Sequence, residues 1–381
     1  MLREERASIL FVLPSLGGGG AERATLDVMR NLDREKFSPS LAVFSDQGVF
    51  RSQVPADVPV YDLRGKGPHD PRLVFRLARL LRDSPPLVVF SVLRFANLVT
   101  ILAHGLAHSS AVLVVNEQNM PSAEFATHGK AWLKEHALRR LYPRADLVVA
   151  ISEGIAAELR NAYGLMGGRV HVIPNPVDLE RVRQLAAEAV EHPWFGKDDP
   201  VILSVGRLHP QKGFVHLIRA FALVRDSMRC RLVILGEGPL RSDLEQLVKD
   251  LGLVADVSMP GFELNPYKYM QEADLFVLAS LYEGFGIVLV EALALGKPVV
   301  ATRCPSGPDE IIPNENVGIL VSPGDEAEMA RAILRVLHDP NLARKLSENG
   351  RRRADEYSVD RIARQHEALL TSALRSSPRP S

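Results

Sequence analysis

Short, uninterrupted apolar runs recur along most of this 381-residue chain, each followed by a loop and then an amphipathic helix. A run without alternation marks a strand buried on both faces, and strands separated by helices pair in parallel. Ser8–Leu13 is the first run; Ser40–Phe44, Val58–Tyr61, Leu87–Ser91, Val112–Asn116, Leu147–Ala150 and Val170–Ile173 follow. Helices are expected between them at about 71–82, 95–108, 130–141 and 152–162. The rhythm closes at Asn175-Pro176-Val177-Asp178 and restarts at Pro200–Val205, with further runs at Arg231–Leu235, Asp256–Met259, Leu275–Leu278 and Val299–Ala301. The pattern predicts two doubly wound α/β domains, 1–178 and 200–357, joined by a charged, less periodic link over 179–199. A last amphipathic helix over 358–375 is read as crossing back to the first domain, and the tail 376–381 as disordered.

Open α/β sheets bind ligands outside the carboxyl ends of their strands, so the loops after the apolar runs carry the functional argument. The most informative is Leu281–Pro298, LYEGFGIVLVEALALGKP, which follows the run Leu275–Leu278. Glu283-Gly284-Phe285-Gly286 breaks the apolar pattern, and a helix from Ile287 to Leu295 ends at Gly296 and Pro298. Gly284 and Gly286 permit close backbone approach, and the unpaired amides opening the helix attract anions. Glu283 and Glu291 frame this stretch. A carboxylate in an apolar helix is costly to bury without a partner, and sugar or ribose hydroxyls are suitable ones. Treated as one continuous helix, the two lie about 12 Å apart along the axis, too far for a glycosidase pair.

Other loops add to this. Gly206-Arg207 and Lys212-Gly213 supply two cations, and Gly236 and Gly261 allow close approach. Two cations with a helix N-terminus suit a pyrophosphate. In the first half, Leu16-Gly17-Gly18-Gly19-Gly20-Ala21-Glu22-Arg23 is a strand–glycine loop–helix arrangement, but neither a Walker loop nor a dinucleotide fingerprint. Asn116-Glu117-Gln118-Asn119 ends a strand with four polar side chains suited to a polyhydroxy ligand. No Asp-x-Asp pair at a strand end and no His/Cys spacing points to a metal.

Lys plus Arg and Asp plus Glu number 46 each, so bulk charge gives no argument for nucleic acid. The balance is uneven: residues 1–175 carry 21 basic and 17 acidic residues, a weak pointer to an anionic partner of the first half. Arg72, Arg76 and Arg79 share one helix face, and Lys130, Trp132, Lys134, Arg139, Arg140 and Arg144 cluster on another segment; both could lie on an anionic membrane surface. The two cysteines, Cys230 and Cys304, indicate no disulfide framework, and Ile9–Leu13 is too short for a signal peptide or a membrane span. A cytoplasmic protein is expected, with peripheral attachment to the inner face of the cell membrane as a possible addition.

Taken together, Gly19-Gly20-Ala21-Glu22, Gly206-Arg207 with Lys212-Gly213, and Glu283 with seven residues before Glu291 resemble the retaining glycosyltransferases of family 4, which have the two-domain GT-B fold. The resemblance covers nearly the whole chain and implies two Rossmann-like domains facing a central cleft. It implies that Arg207 and Lys212 neutralise the diphosphate of a UDP-sugar. Glu283 would touch the donor sugar and Glu291 the ribose. Gly19 or Gly20 would close on the phosphates, and backbone near Gly261-Phe262 would contact the base. Gly206, Gly236, Gly284, Phe285, Gly286 and Ile287 complete the implied donor site. No cofactor or metal is implied, and the leaving phosphate serves as the base. Many members carry a histidine in the loop where this chain has Asn116–Asn119, so Glu117 or Asn119 is expected to meet the sugar or acceptor. Thr302–Ile312, TRCPSGPDEII, resembles the sub-group that builds polyprenyl-diphosphate-linked glycans and surface polysaccharides. The rival activities are a nucleotide-sugar epimerase or a glycan phosphorylase on the same fold, and beyond them a non-catalytic sugar-nucleotide binder.

Overall fold

The computed structural model describes residues 6–67, 70–126, 131–165 and 168–376. The chain forms two compact units, one running to Pro176 and resuming at Val359, the other spanning Val177–Ser358.

The first unit holds a parallel seven-stranded sheet: β1 (Ala7–Leu13), β2 (Phe37–Val43), β3 (Val60–Asp62), β4 (Val88–Val92), β5 (Val112–Glu117), β6 (Leu147–Ala150) and β7 (Val170–Val172), in the order β3-β2-β1-β4-β5-β6-β7. The direction of strand succession reverses between β1 and β4, where Ile9 pairs with Val88 and Phe11 with Phe90. β4 and β5 are buried throughout, which explains their unbroken apolar runs. The helix Val359–Ser376 belongs to this unit: Ile362 and Leu370 join a core with Phe11, Leu26, Met29, Phe37 and Phe90.

The second unit holds a parallel six-stranded sheet: β8 (Val201–Val205), β9 (Arg231–Leu235), β10 (Val257–Gly261), β11 (Leu275–Leu278), β12 (Val299–Thr302) and β13 (Ile319–Val321), in the order β10-β9-β8-β11-β12-β13. Its reversal lies between β8 and β11. Pro260 is tolerated because β10 is an edge strand with a register shift between Ser258 and Gly261.

The segment 179–199, expected as an irregular link, begins instead with a helix, Leu179–Ala186. Asp178 caps it by accepting a hydrogen bond from the Arg181 amide at 2.9 Å. Leu179, Val182 and Ala186 are buried, and Asn265 Nδ2 donates to Leu185 O at 2.8 Å. The expected boundary at 178 also shifts, since Val177 donates its amide to Tyr357 O within the second unit. β13 and the helices Arg241–Asp250 and Pro340–Ala354 were not anticipated. In the tail, Ser376 ends the last helix; residues 377–381 lie outside the described residues.

Candidate functional site

The two loops that leave the second sheet at its reversal point, after β8 and after β11, carry the cations and the first glutamate. They are joined directly. Leu281 donates its amide to Gln211 O at 2.8 Å, and Gln211 Nε2 donates to Tyr282 O at 3.1 Å. Gly213, which caps the short turn Pro210–Lys212, lies so close to β11 that a Cβ would collide with Ala279 O. Gly236 meets Gly206 O in the same way. Glycine at these two positions lets three strand-end loops pack together.

Lys212 Nζ reaches Glu283 Oε1 at 2.5 Å, with 20% of the Lys212 side chain exposed and 7% of that of Glu283. Ser280, fully buried, donates its hydroxyl to the same oxygen at 2.6 Å. Arg207 is exposed and makes no ion pair among the described residues. The site therefore offers one cation held by a carboxylate and one open to solvent.

The helix Ile287–Ala294 opens at Gly286, which has φ 89°, whereas Gly284 is outside the left-handed region. Ser306 Oγ donates to Gly284 O at 2.9 Å, so the 303–308 loop braces the glycine turn. The order of residues corrects the sequence estimate of carboxylate spacing. Glu283 precedes the helix by four residues, so helical rise does not set its distance from Glu291. The two have different partners: Glu291, 4% exposed, receives the Tyr267 hydroxyl at 2.8 Å. Tyr267 and Ser280 were not singled out from sequence, and Thr302 entered only as the first residue of the 302–312 stretch; its Oγ1 donates to Ser280 O at 2.5 Å.

Several expected contacts change character. The Phe285 side chain is 3% exposed and packs edge-on against Tyr357, so only its backbone remains for a ligand. Phe262 is 59% exposed beside Gly261, whose φ is 108°. Ile287 is half-buried at the helix start. Burial pushes the Cys304 thiol up to about 12, which keeps it protonated near Glu283 and Lys212.

In the first unit, Gly19 is the N-cap and Gly20 the first residue of the helix Gly20–Asn31. A side chain on Gly19 would strike the Glu22 carboxylate, which folds back over the loop; its pKa is raised by burial. Glu117 does not serve as an exposed acceptor contact. It is 1% exposed, paired with Arg94 at 2.9 and 3.2 Å, and receives the Tyr142 hydroxyl at 2.5 Å. Burial first, then the Glu117 charge, raises the Tyr142 pKa well above its usual value. Arg94 also donates to Asn119 O at 3.0 Å, so this network supports the loop while the half-buried Asn119 remains available.

The basic faces also separate. Arg72 pairs with Asp70, Arg79 with Asp83, and Arg76 donates to Leu63 O and Arg64 O, so most of that face is spent internally. On the helix Ala131–Leu141, Trp132 is 70% and Leu133 50% exposed, with Arg140 and the following Arg144 also exposed. Lys130 lies outside the described residues. Among the described residues, no helix is long and apolar enough to cross a membrane.

Known proteins match this chain along most of its length. The glycosyl transferases group 1 model covers residues 189–353 and the glycosyltransferase family 4 model residues 18–181. A Campylobacter jejuni N-acetylgalactosamine-N,N'-diacetylbacillosaminyl-diphospho-undecaprenol 4-alpha-N-acetylgalactosaminyltransferase is 31% identical over 92% of this chain and 95% of its own. The alpha-D-kanosaminyltransferase of Streptomyces kanamyceticus is 34% identical over 57% of each chain. Crystal structures of Anabaena HepE with UDP and with UDP and glucose superpose with TM-scores of 0.79 and 0.81, at 24% and 23% identity. Both cover 96% of this chain and 100% of HepE, and they show the same fold. The chain belongs to glycosyltransferase family 4, the glycosyl transferases group 1, with the GT-B fold of two Rossmann-like domains.

Proposed function

We propose that the chain moves a hexose or N-acetylhexosamine from a UDP-sugar to a lipid-linked glycan, retaining the anomeric configuration and needing no metal. One observation carries the reading: the β8 and β11 loops meet at the reversal of the second sheet and bring Lys212 onto Glu283, with the exposed, unpaired Arg207 in the same β8 loop. Two cations and the amides at Gly286–Ile287 match a diphosphate, while Glu283 and Glu291 match hydroxyls of the sugar and ribose. In the reaction the bond from the anomeric carbon to the UDP oxygen breaks, and the acceptor hydroxyl bonds to the same face of that carbon. Its proton passes to an oxygen of the departing phosphate. Arg207 and Lys212 stabilise the charge that develops there.

The donor assignment is supported by the UDP in the HepE structures, and the acceptor assignment by the diphospho-undecaprenol substrate of the C. jejuni relative. A carrier of that kind sits at a membrane, and exposed Trp132 and Leu133 with Arg140 and Arg144 form a surface suited to its anionic headgroups. Asn119 is the proposed acceptor contact from the first unit.

The test is a thermal-shift screen of nucleoside diphosphate sugars in EDTA, followed by transfer assays. UDP-sugars should raise the melting temperature more than GDP- or ADP-sugars, because a ligand of the folded state stabilises it by mass action. UDP release should require acceptor, and Lys212→Ala or Glu283→Ala should abolish it while the protein stays folded. Release dependent on inorganic phosphate, or full activity in both variants, refutes the reading.

A further inference from the structure

We propose that Ser280 is a positioning residue: it holds the Glu283 carboxylate in place when Lys212 turns from Glu283 to the donor diphosphate. The inference rests on the reading above, in which Glu283 meets the sugar and Lys212 the diphosphate.

Three observations support it. Lys212 and Ser280 bond the same oxygen, Glu283 Oε1, at 2.5 and 2.6 Å, and Oε2 has no partner among the described residues. Lys212 thus has two calls on its charge, and meeting a diphosphate weakens its bond to Glu283. Without another donor the carboxylate would be free to rotate. Ser280 is that donor, and being fully buried its hydroxyl has no water to turn to.

Ser280 is itself held. Thr302 Oγ1, from β12, donates to Ser280 O at 2.5 Å, and Ser204 Oγ, from β8, donates to Val277 O at 2.7 Å. The end of β11 is therefore pinned from both neighbouring strands by buried hydroxyls, all three residues being at most 1% exposed. That fixes the start of the loop from which Ser280 reaches Glu283, three residues on. The arrangement leaves Oε2 as the oxygen for a sugar hydroxyl, so Ser280 acts on sugar recognition rather than on nucleotide binding.

Calorimetry with UDP and with UDP-N-acetylgalactosamine, or whichever of UDP-glucose, UDP-galactose and UDP-N-acetylglucosamine binds best, tests this without an acceptor. Ser280→Ala should leave UDP affinity within about twofold and reduce UDP-sugar affinity by about tenfold, the effect of one hydrogen bond to a charged group. Ser280→Thr, which keeps the hydroxyl, should recover most of the loss. In a Glu283→Ala background, Ser280→Ala should cause no further loss, because with the carboxylate gone Ser280 has nothing left to position. Thr302→Val, nearly isosteric, should shift the same ratio in the same direction and serves if Ser280→Ala does not fold. Equal losses for UDP and UDP-sugar, or losses additive with Glu283→Ala, overturn the inference. UDP-sugar affinity unchanged by Glu283→Ala overturns the functional reading itself.

Discussion

At the scale of single residues, the loops after β8 and β11 depend on a few partners that cross between strand ends. Lys212 and Glu283 are the clearest pair, because neither is fully solvated and each leaves the other uncompensated when removed. Lys212→Ala should cost about 1–3 kcal/mol in urea unfolding. Adding Glu283→Ala should cost less than the sum of the two single changes, and strict additivity would show that the pair contributes nothing to stability. The glutamates, the cations and the glycines of this site were legible in sequence because charge and φ > 0 requirements are properties of the residue itself. The roles of Ser280, Thr302 and Tyr267 were not, because what a hydroxyl binds is decided by which strand lies beside it. Glu117 shows the opposite limit: a polar residue at a strand end looked like a ligand contact, but Arg94 and Tyr142 take its carboxylate inside the fold.

At the scale of elements, the helix Val359–Ser376 ties the end of the chain to the first sheet. His366 sits on it, 4% exposed, with its ring edge-on to Phe90 and its Nδ1 without a partner among the described residues. Burial lowers its pKa from the usual 6.5 to about 4. The unfolded chain therefore binds a proton between pH 6.5 and 4 that the folded chain refuses, so this contribution to stability is complete above pH 6.5 and is lost as pH falls to about 4. The loss should amount to roughly 3 kcal/mol. His366→Phe should flatten urea midpoints across that window, and an unchanged pH slope would contradict the assignment.

Most strands were readable because burial on both faces leaves an unbroken apolar run, as in β4 and β5. β13 escaped notice because Gly318 interrupts its short apolar run, Val317–Val321. The helix Pro340–Ala354 buries only Leu346, Gly350 and Ala354, too sparse an apolar stripe to register, although Asp339 before Pro340 is a cap signal. The helix Leu179–Ala186 was hidden by its charged face, and the Asp178 cap was the clue available.

At the scale of the whole molecule, zero formal charge conceals a basic first half. Attachment to a membrane would then be local, through Trp132 and its neighbours, rather than a bulk effect. Sedimentation with anionic liposomes should decrease as salt rises past physiological ionic strength, and Trp132→Ala should reduce it several-fold. Binding insensitive to salt, lipid charge and Trp132 alike would remove the membrane from the proposal.

The second unit has both its ends at one doorway: Val177 and Ser358 form an isolated parallel bridge, and the Val177 amide meets Tyr357 O at 2.9 Å. It is in effect a cassette spliced into its neighbour through adjacent entry and exit points. Such an insert can be exchanged between relatives by cutting the chain at two places, so that the whole six-stranded sheet, with Lys212, Glu283 and Glu291, is replaced as a block while the seven-stranded sheet stays intact.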